Sequence, residues 1–165
     1  MAKKKLPKTN AIRLVEQKRI PYNEYTYEWS EDHLGAQTVA QQLGEDENQV
    51  FKTLVAVGNK TGVIVAVIPG NQSLDLKKLA KISGNKKVEM LPLKELETTT
   101  GYIRGGCSPI GMKKLFPTYI HESAQSFPTI IVSAGQRGLQ LELAADAMAE
   151  LIRGKFADIT EQLSK

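Results

Sequence analysis

The chain has 165 residues, 41% of them hydrophobic and 24% charged, with a net charge of +4, enough for one buried core and too little for two ordinary domains. Its longest apolar run, Val63 to Ile68, is far too short to cross a bilayer, and the opening MAKKKLPKTN has no apolar stretch after its lysines, so a cytoplasmic protein with no membrane partner is expected. A lone cysteine, Cys107, excludes an internal disulfide or a cysteine-based metal cluster, and neither a metal nor a cofactor is expected.

Thr9 or Asn10 can cap a first helix running through Lys18, with Ala11, Leu14 and Val15 on one face and Ile20-Pro21 as its stop. Tyr22, Tyr25 and Tyr27 mark a strand. Gly35 to Leu43 predicts a helix closed by Gly44, and Asp46 opens a further turn before Phe51. Phe51 to Val57 and Val63 to Ile68 then flank Gly58-Asn59-Lys60-Thr61-Gly62, a hairpin with a longer loop. Leu74, Leu76, Leu79 and Ile82 predict a helix ending at Gly84, Lys86 to Met90 a strand, and Leu93 to Glu97 a short helix. Tyr119 to His121 and Thr129 to Ser133 follow as strands. Leu139, Leu141 and Leu143 alternate with Gln140 and Glu142 at strand spacing, before a last helix around Ala144 to Arg153. Strands and short helices mix without βαβ alternation, so the fold class is α+β with a mostly antiparallel sheet. One domain spans 9–160, between a basic tail over 1–8 and a short tail over 161–165.

Charge is unevenly placed. Seven basic residues from Lys3 to Arg19 crowd the first segment; Lys77, Lys78, Lys81, Lys86 and Lys87 form a second cluster, and Lys113 with Lys114 a third. Glu24, Glu28, Glu31, Asp32, Glu45, Asp46 and Glu47 lie between the first two. Such dipolar patterning suits a protein that presents one face to a polyanion, and an ordinary solvated lysine surface accounts for it equally well.

The familiar catalytic kits are missing: there is no Gly-x-Ser-x-Gly elbow, phosphate loop, dinucleotide fingerprint or His-Glu-x-x-His pattern. His33 and His121 stand far apart without a companion motif and read as structural. Lys52 is unusual by position, because both faces of Phe51 to Val57 are apolar apart from Lys52 and Thr53. Such a strand reads as central, where a lysine needs either a partner or a task; alternatively Lys52 sits at the strand mouth and extends its ammonium to water. Gly101 to Gly111 holds four glycines in eleven residues, and Ser133-Ala134-Gly135-Gln136-Arg137-Gly138 adds a second permissive loop; glycines let the main chain approach a ligand and offer it N–H donors. Cys107 lies inside the first loop, but no histidine in a recognised pattern would lower its pKa, so it reads as a packing residue.

At these same places the chain resembles the YbaK/EbsC family, the prolyl-tRNA-synthetase-associated editing domains. The matching text is Thr26-Tyr27-Glu28, Gln49 to Leu54, Leu74 to Lys78, Lys86 to Met90, Thr100-Gly101-Tyr102 running into Gly105 to Gly111, Val132 to Gly135, Arg137-Gly138-Leu139, Glu142-Leu143 and Lys155 to Ile159. It covers nearly the whole chain in order. The resemblance implies a barrel-like mixed sheet wrapped by short helices, with a pocket for the aminoacyl end of a charged transfer RNA. It places the activity-linked lysine at Lys52, the pocket tyrosine at Tyr27, a glycine wall at Gly105 and Gly106, and a small-residue loop at Ser133 and Gly135. A bulky aromatic of some members aligns with Leu34, and an acidic position with Gln140, differences that bear on amino-acid preference.

What the resemblance implies is deacylation in trans of cysteine, or another small amino acid, from tRNA(Pro). A proline site cannot strongly exclude a slightly smaller side chain, since the loss is only about 1–3 kcal/mol in an apolar pocket. The family's cysteine-clearing branch implies attack of the substrate's own thiol on the ester, where good alignment gives effective molarities on the order of 10⁵ M or more. Lys52 would then orient terminal ribose or phosphate oxygens, main-chain N–H groups of Gly105, Gly106 and the Ser133 to Gly135 loop would hold the carbonyl oxygen, and Lys77, Lys78, Lys81, Lys86, Lys87, Lys113 and Lys114 would hold the acceptor stem. The expected partners are mischarged transfer RNA and prolyl-tRNA synthetase, in a ternary complex, with the chain itself a monomer. A non-catalytic module that binds transfer RNA or regulates translation is the second reading, and a small-metabolite hydrolase or binding protein the third.

Overall fold

The computed structural model describes residues 8–27 and 47–161. The helix expected over Gly35 to Leu43, and with it His33 and Leu34, lies outside the described residues.

Helix α1, Asn10–Gln17, begins where Thr9 accepts the N–H of Ile12 at 3.2 Å and buries Ala11, Ile12 and Val15. The expected face therefore turns slightly, with Ile12 deeper than Leu14. Helices α2, Leu76–Ser83, and α4, Ala145–Ile152, are of similar length, while α3, Leu96–Thr100, is a single turn and a half after the 3₁₀ turn Leu93–Glu95. Asp75 caps α2 by accepting the N–H groups of Lys77 and Lys78, both at 3.0 Å. All four described helices close with one left-handed residue and a hydrogen bond back over the last turn: Arg19 with Ile20 N to Val15 O, Gly84 with Asn85 N to Ala80 O, Gly101 with its own N to Glu97 O, and Arg153 with Gly154 N to Ala149 O. Two arginines in this role are a cost that local satisfaction of the helix carbonyls offsets.

The strands are β1 Tyr22–Thr26, β2 Phe51–Gly58, β3 Gly62–Pro69, β4 Val88–Met90, β5 Thr118–His121, β6 Ile130–Gln136, β7 Leu139–Leu143 and β8 Lys155–Ala157. They form two sheets, ordered β1-β7-β6 and β4-β2-β3-β5-β8. Four of the six pairings are antiparallel; β3 with β5 and β5 with β8 are parallel, so the expected α+β class with a mixed, mostly antiparallel arrangement holds. In place of one barrel-like sheet, hydrogen bonding among the described residues gives two, linked by an isolated parallel bridge between Val50 and Ile131. Strand β8 was not anticipated, because three residues are too short to show alternation.

The most central strand is β3, whose Ile64 to Ile68 are all at 0% exposure. Strand β2, expected to be central, pairs with β3 along its whole length but with β4 only over Ala56 to Gly58. Its first half, with Lys52, thus has no ladder partner on that side among the described residues beyond the Val50–Ile131 bridge. The β2–β3 loop is also tighter than expected, since pairing continues to Gly58 and Gly62. Asn85 makes this possible: its Oδ1 accepts Lys60 N at 2.8 Å and Thr61 N at 3.1 Å, and it packs so closely on Gly58 that a Cβ there would lie 2.2 Å from its Nδ2.

Candidate functional site

Alternation assigns the two faces of the β1-β7-β6 sheet different work. Ile130, Val132, Leu139, Leu141 and Leu143 enter the larger hydrophobic core, together with α1 and α4. The opposite face carries Asn23 and Tyr25 of β1, Gln140 and Glu142 of β7, and Ile131 and Ser133 of β6, in a register that sets Tyr25 opposite Gln140 and Gln140 opposite Ser133. Tyr27 extends this row, its N–H donating to Gly138 O at 2.9 Å, and it packs with Tyr25 on Val50 and Ile131.

The parallel bridge brings Lys52 to the same face. Two residues beyond Val50 and two beyond Ile131 are Lys52 and Ser133, which therefore stand at the same level of neighbouring chains running in the same direction. Lys52 is half-buried and has no hydrogen-bond or ion-pair partner among the described residues; burial pushes its pKa below the usual lysine value. Gln140, at 5% exposure, lies in the same layer, and its Oε1 has no hydrogen-bond partner among the described residues.

The two glycine-bearing loops meet. Arg137 Nε donates to Arg104 O at 2.8 Å, and a Cβ on Gly106 would lie 3.0 Å from Arg137 N and 3.1 Å from Gln136 C. Gly135, at φ +98°, lies against the Tyr102 ring, 2.8 Å from a would-be Cβ. Contact between the loops thus requires both glycines, through the main chain of Gln136 and Arg137 at Gly106 and through the Tyr102 ring at Gly135. Hydrogen bonding also revises the expected donors: Gly106 N–H goes to Ile103 O at 2.9 Å and Gly135 N–H to Ser133 Oγ at 3.2 Å. Gly105, half-exposed at φ +84°, has an N–H without a partner among the described residues.

Glu142 is a residue that sequence reasoning quoted without assigning a role. Its carboxylate accepts Tyr25 Oη and Asn23 Nδ2 from β1, Thr129 Oγ1 from the entry to β6, and Gln49 Nε2 from the turn before β2. Burial raises its pKa, but the hydrogen bonds from Thr129, Tyr25 and Asn23 outweigh this and hold it below the usual carboxylate range. The polar alternation of Gln140 and Glu142 between leucines was the available signal.

Cys107 is buried beside Val55 and Tyr102, and burial pushes its thiol up to about 12, which leaves no thiolate near neutral pH. His121 holds Ser123 Oγ through Nδ1 at 2.7 Å and Thr160 Oγ1 through Nε2 at 3.1 Å, a structural tie. Of the seven lysines expected on the acceptor stem, Lys78 is paired with Asp158 at 3.0 Å, Lys87 with Glu89 at 3.0 Å, and Lys113 donates to Thr98 O at 3.1 Å. Lys77, Lys81, Lys86 and Lys114 are exposed without an ion-pair partner among the described residues. No helix among the described residues is long and apolar enough to cross a membrane.

Comparison with known proteins gives this face a context. A relative from Enterococcus faecalis, named "Putative Cys-tRNA(Pro)/Cys-tRNA(Cys) deacylase EbsC", is 68% identical over 97% of this chain and 98% of its own. The uncharacterized protein YwhH of Bacillus subtilis is 29% identical over 67% of this chain and 70% of its own. Among solved structures, one described as a "putative trans-editing enzyme for prolyl tRNA synthetase" superposes with a TM-score of 0.80 at 23% identity, covering 93% of this chain and 96% of that one. A hypothetical protein superposes at 0.83 and 21% identity, covering 93% and 100%, so the fold is shared well beyond recognisable sequence. The aminoacyl-tRNA editing domain model matches residues 31–151, and with most of the chain inside that match the protein belongs to the aminoacyl-tRNA editing domain family.

Proposed function

We infer that the chain is a trans-acting aminoacyl-tRNA deacylase that clears cysteine from tRNA(Pro). The name of its 68%-identical relative supports this substrate, and the observation that carries the reading is Lys52. A half-buried ammonium with no carboxylate among the described residues, level with Ser133 on a polar face, is costly for the fold alone and is explained by an anionic or ester-bearing ligand.

In this reading Lys52 binds terminal ribose or phosphate oxygens and orients the aminoacyl ester. Tyr27 and Gln140 border the amino acid. Gly105 N–H and the Ser133 hydroxyl are the donors left to hold the carbonyl oxygen as charge develops on it, because Gly106 and Gly135 N–H are engaged internally. Gly106 and Gly135 instead fix where those donors stand. The substrate cysteine sulfur attacks its own carbonyl carbon: an S–C bond forms, the ester C–O bond breaks, and the thiol proton ends on the departing ribose oxygen. The products are a thiolactone and free transfer RNA, and no protein nucleophile is used.

Lys77, Lys81, Lys86 and Lys114 supply the salt-dependent hold on the acceptor stem, with Lys78, Lys87 and Lys113 contributing around their internal contacts. These contacts read phosphates and not bases, so selection of tRNA(Pro) falls to a partner, prolyl-tRNA synthetase, with which the monomeric chain would form a ternary complex. The test is multiple-turnover deacylation of tRNA(Pro) charged in turn with cysteine, alanine, serine and proline. Cysteine is released fastest and serine much more slowly, because a neutral hydroxyl is the poorer nucleophile; equal rates for cysteine and serine would overturn the thiol-assisted route.

A further inference from the structure

Among the described residues, one carboxylate touches every element that assembles the site face. Asn23 and Tyr25 lie on β1, which leads directly into Tyr27; Thr129 lies just before β6, which carries Ser133; Gln49 lies three residues before Lys52. Gln49 also reaches Thr129 O at 2.9 Å and Thr129 Oγ1 at 3.2 Å, beside the Val50–Ile131 bridge that sets β2 against β6. Main-chain pairing cannot do this work alone, since one bridge fixes the level of two strands but leaves their separation and twist free. Four side-chain donors converging on Glu142 supply the missing constraint, and all four point at its two oxygens, which leaves Glu142 itself no direct task on a ligand.

We propose that Glu142 is the positioning residue of this editing site, holding Lys52 level with Ser133 and Tyr27 through Gln49, Thr129 and Tyr25. The inference rests on the deacylase reading above. Replacing the carboxylate by an amide keeps the shape but turns one acceptor oxygen into a donor. Hydroxyls of Thr129 and Tyr25 can turn to accept that donor and Asn23 can present its Oδ1, but Gln49 cannot turn its oxygen toward residue 142 without giving up its bond to Thr129 O. The result is a small displacement of β2 against β6. Misplacement of about 1 Å remote from the reacting atoms can cost about 100-fold in rate.

The experiment is a double-mutant cycle on the full chain with cysteine-charged tRNA(Pro), using Glu142→Gln, Lys52→Ala and the pair, read as kcat and KM separately with thermal melting of each. Glu142→Gln is expected to stay folded and to lose about 10- to 100-fold in kcat with KM within about two-fold of wild type. In the Lys52→Ala background the same change should cost under about two-fold, because its effect runs through Lys52. A folded Glu142→Gln with kcat near wild type, or losses that multiply independently in the double mutant, would overturn the proposal. Should Glu142→Gln fail to fold, Thr129→Val removes a single donor and serves the same cycle, with the same two outcomes deciding. A wild-type chain that releases no cysteine sinks the deacylase reading instead, so the two failures are distinguishable.

Discussion

The two faces of the β1-β7-β6 sheet are built from the same strands and differ in almost everything else. On one, Ile130, Val132, Leu141 and Leu143 are at 0% exposure and belong to the larger hydrophobic core. On the other, a small apolar cluster of Ile131 with Val50, Tyr25 and Tyr27 lies beside polar groups, and Tyr25, Ser133 and Glu142 make directional hydrogen bonds. The first face stabilises by area removed from water, which is tolerant of detail. The second commits its groups to hydrogen bonds with fixed geometry, and so can hold Lys52 and Gly105 where a ligand must find them. Stability and recognition are thereby separated by one side-chain alternation.

The sharpest way to test that separation is to damage each face alone. Lys52→Ala should lower kcat for cysteine-charged tRNA(Pro) by about 100-fold or more, the scale of letting the aminoacyl ester lose its orientation, while leaving the melting temperature near wild type. Leu141→Ala should do the reverse, costing about 2–5 kcal/mol of stability by opening a cavity, with kcat of the folded fraction retained. Denaturant unfolding alongside multiple-turnover kinetics reads both. Equal losses of stability in the two variants would erase the distinction.

A smaller effect sharpens the assignment of the cation. Lys52 is charged below its pKa and loses that charge as pH rises through it; burial lowers that pKa, so the alkaline limb of kcat/KM should sit below the usual lysine range. Lys52→Arg keeps its charge throughout, and the limb should disappear or move upward once spontaneous ester hydrolysis is subtracted. A limb unmoved by the substitution would assign it to another group.

The smallest effect is expected at Cys107, which belongs with the packed regions despite its glycine-rich loop. Its thiol is held protonated, with a pKa of about 12. Cys107→Ala should therefore retain deacylation of cysteine-charged tRNA(Pro) to within about two-fold. A folded but inactive Cys107→Ala would require a protein thiol in the mechanism.

Much of the fold is legible from short-range signals. The cap at Thr9, the stop at Gly84 and the alternation from Leu139 to Leu143 are local chemistry, and the structure realises them where the residues stand. Lys52 stands out in the sequence for a reason the structure changes: among the described residues β2 pairs with β4 only over Ala56 to Gly58, and near Lys52 its neighbour on that side is β6, through the Val50–Ile131 bridge. The glycine loops were expected to offer N–H donors, yet Gly106 and Gly135 spend theirs on acceptors two or three residues back in their own loops, Ile103 O and Ser133 Oγ.

By itself, then, the sequence determined most of the order of helices and strands among the described residues and the resemblance that gives the family. Only the tertiary structure decided which face of the small sheet stays polar, that Lys52 and Ser133 are level, and that Glu142 gathers Asn23, Tyr25, Gln49 and Thr129. The physical reason is separation along the chain. Alternation tells which neighbours share a face, but Tyr25 and Glu142 are 117 residues apart and Gln49 and Thr129 are 80 apart; contacts of that span are fixed by how whole strands pack, which no local pattern encodes.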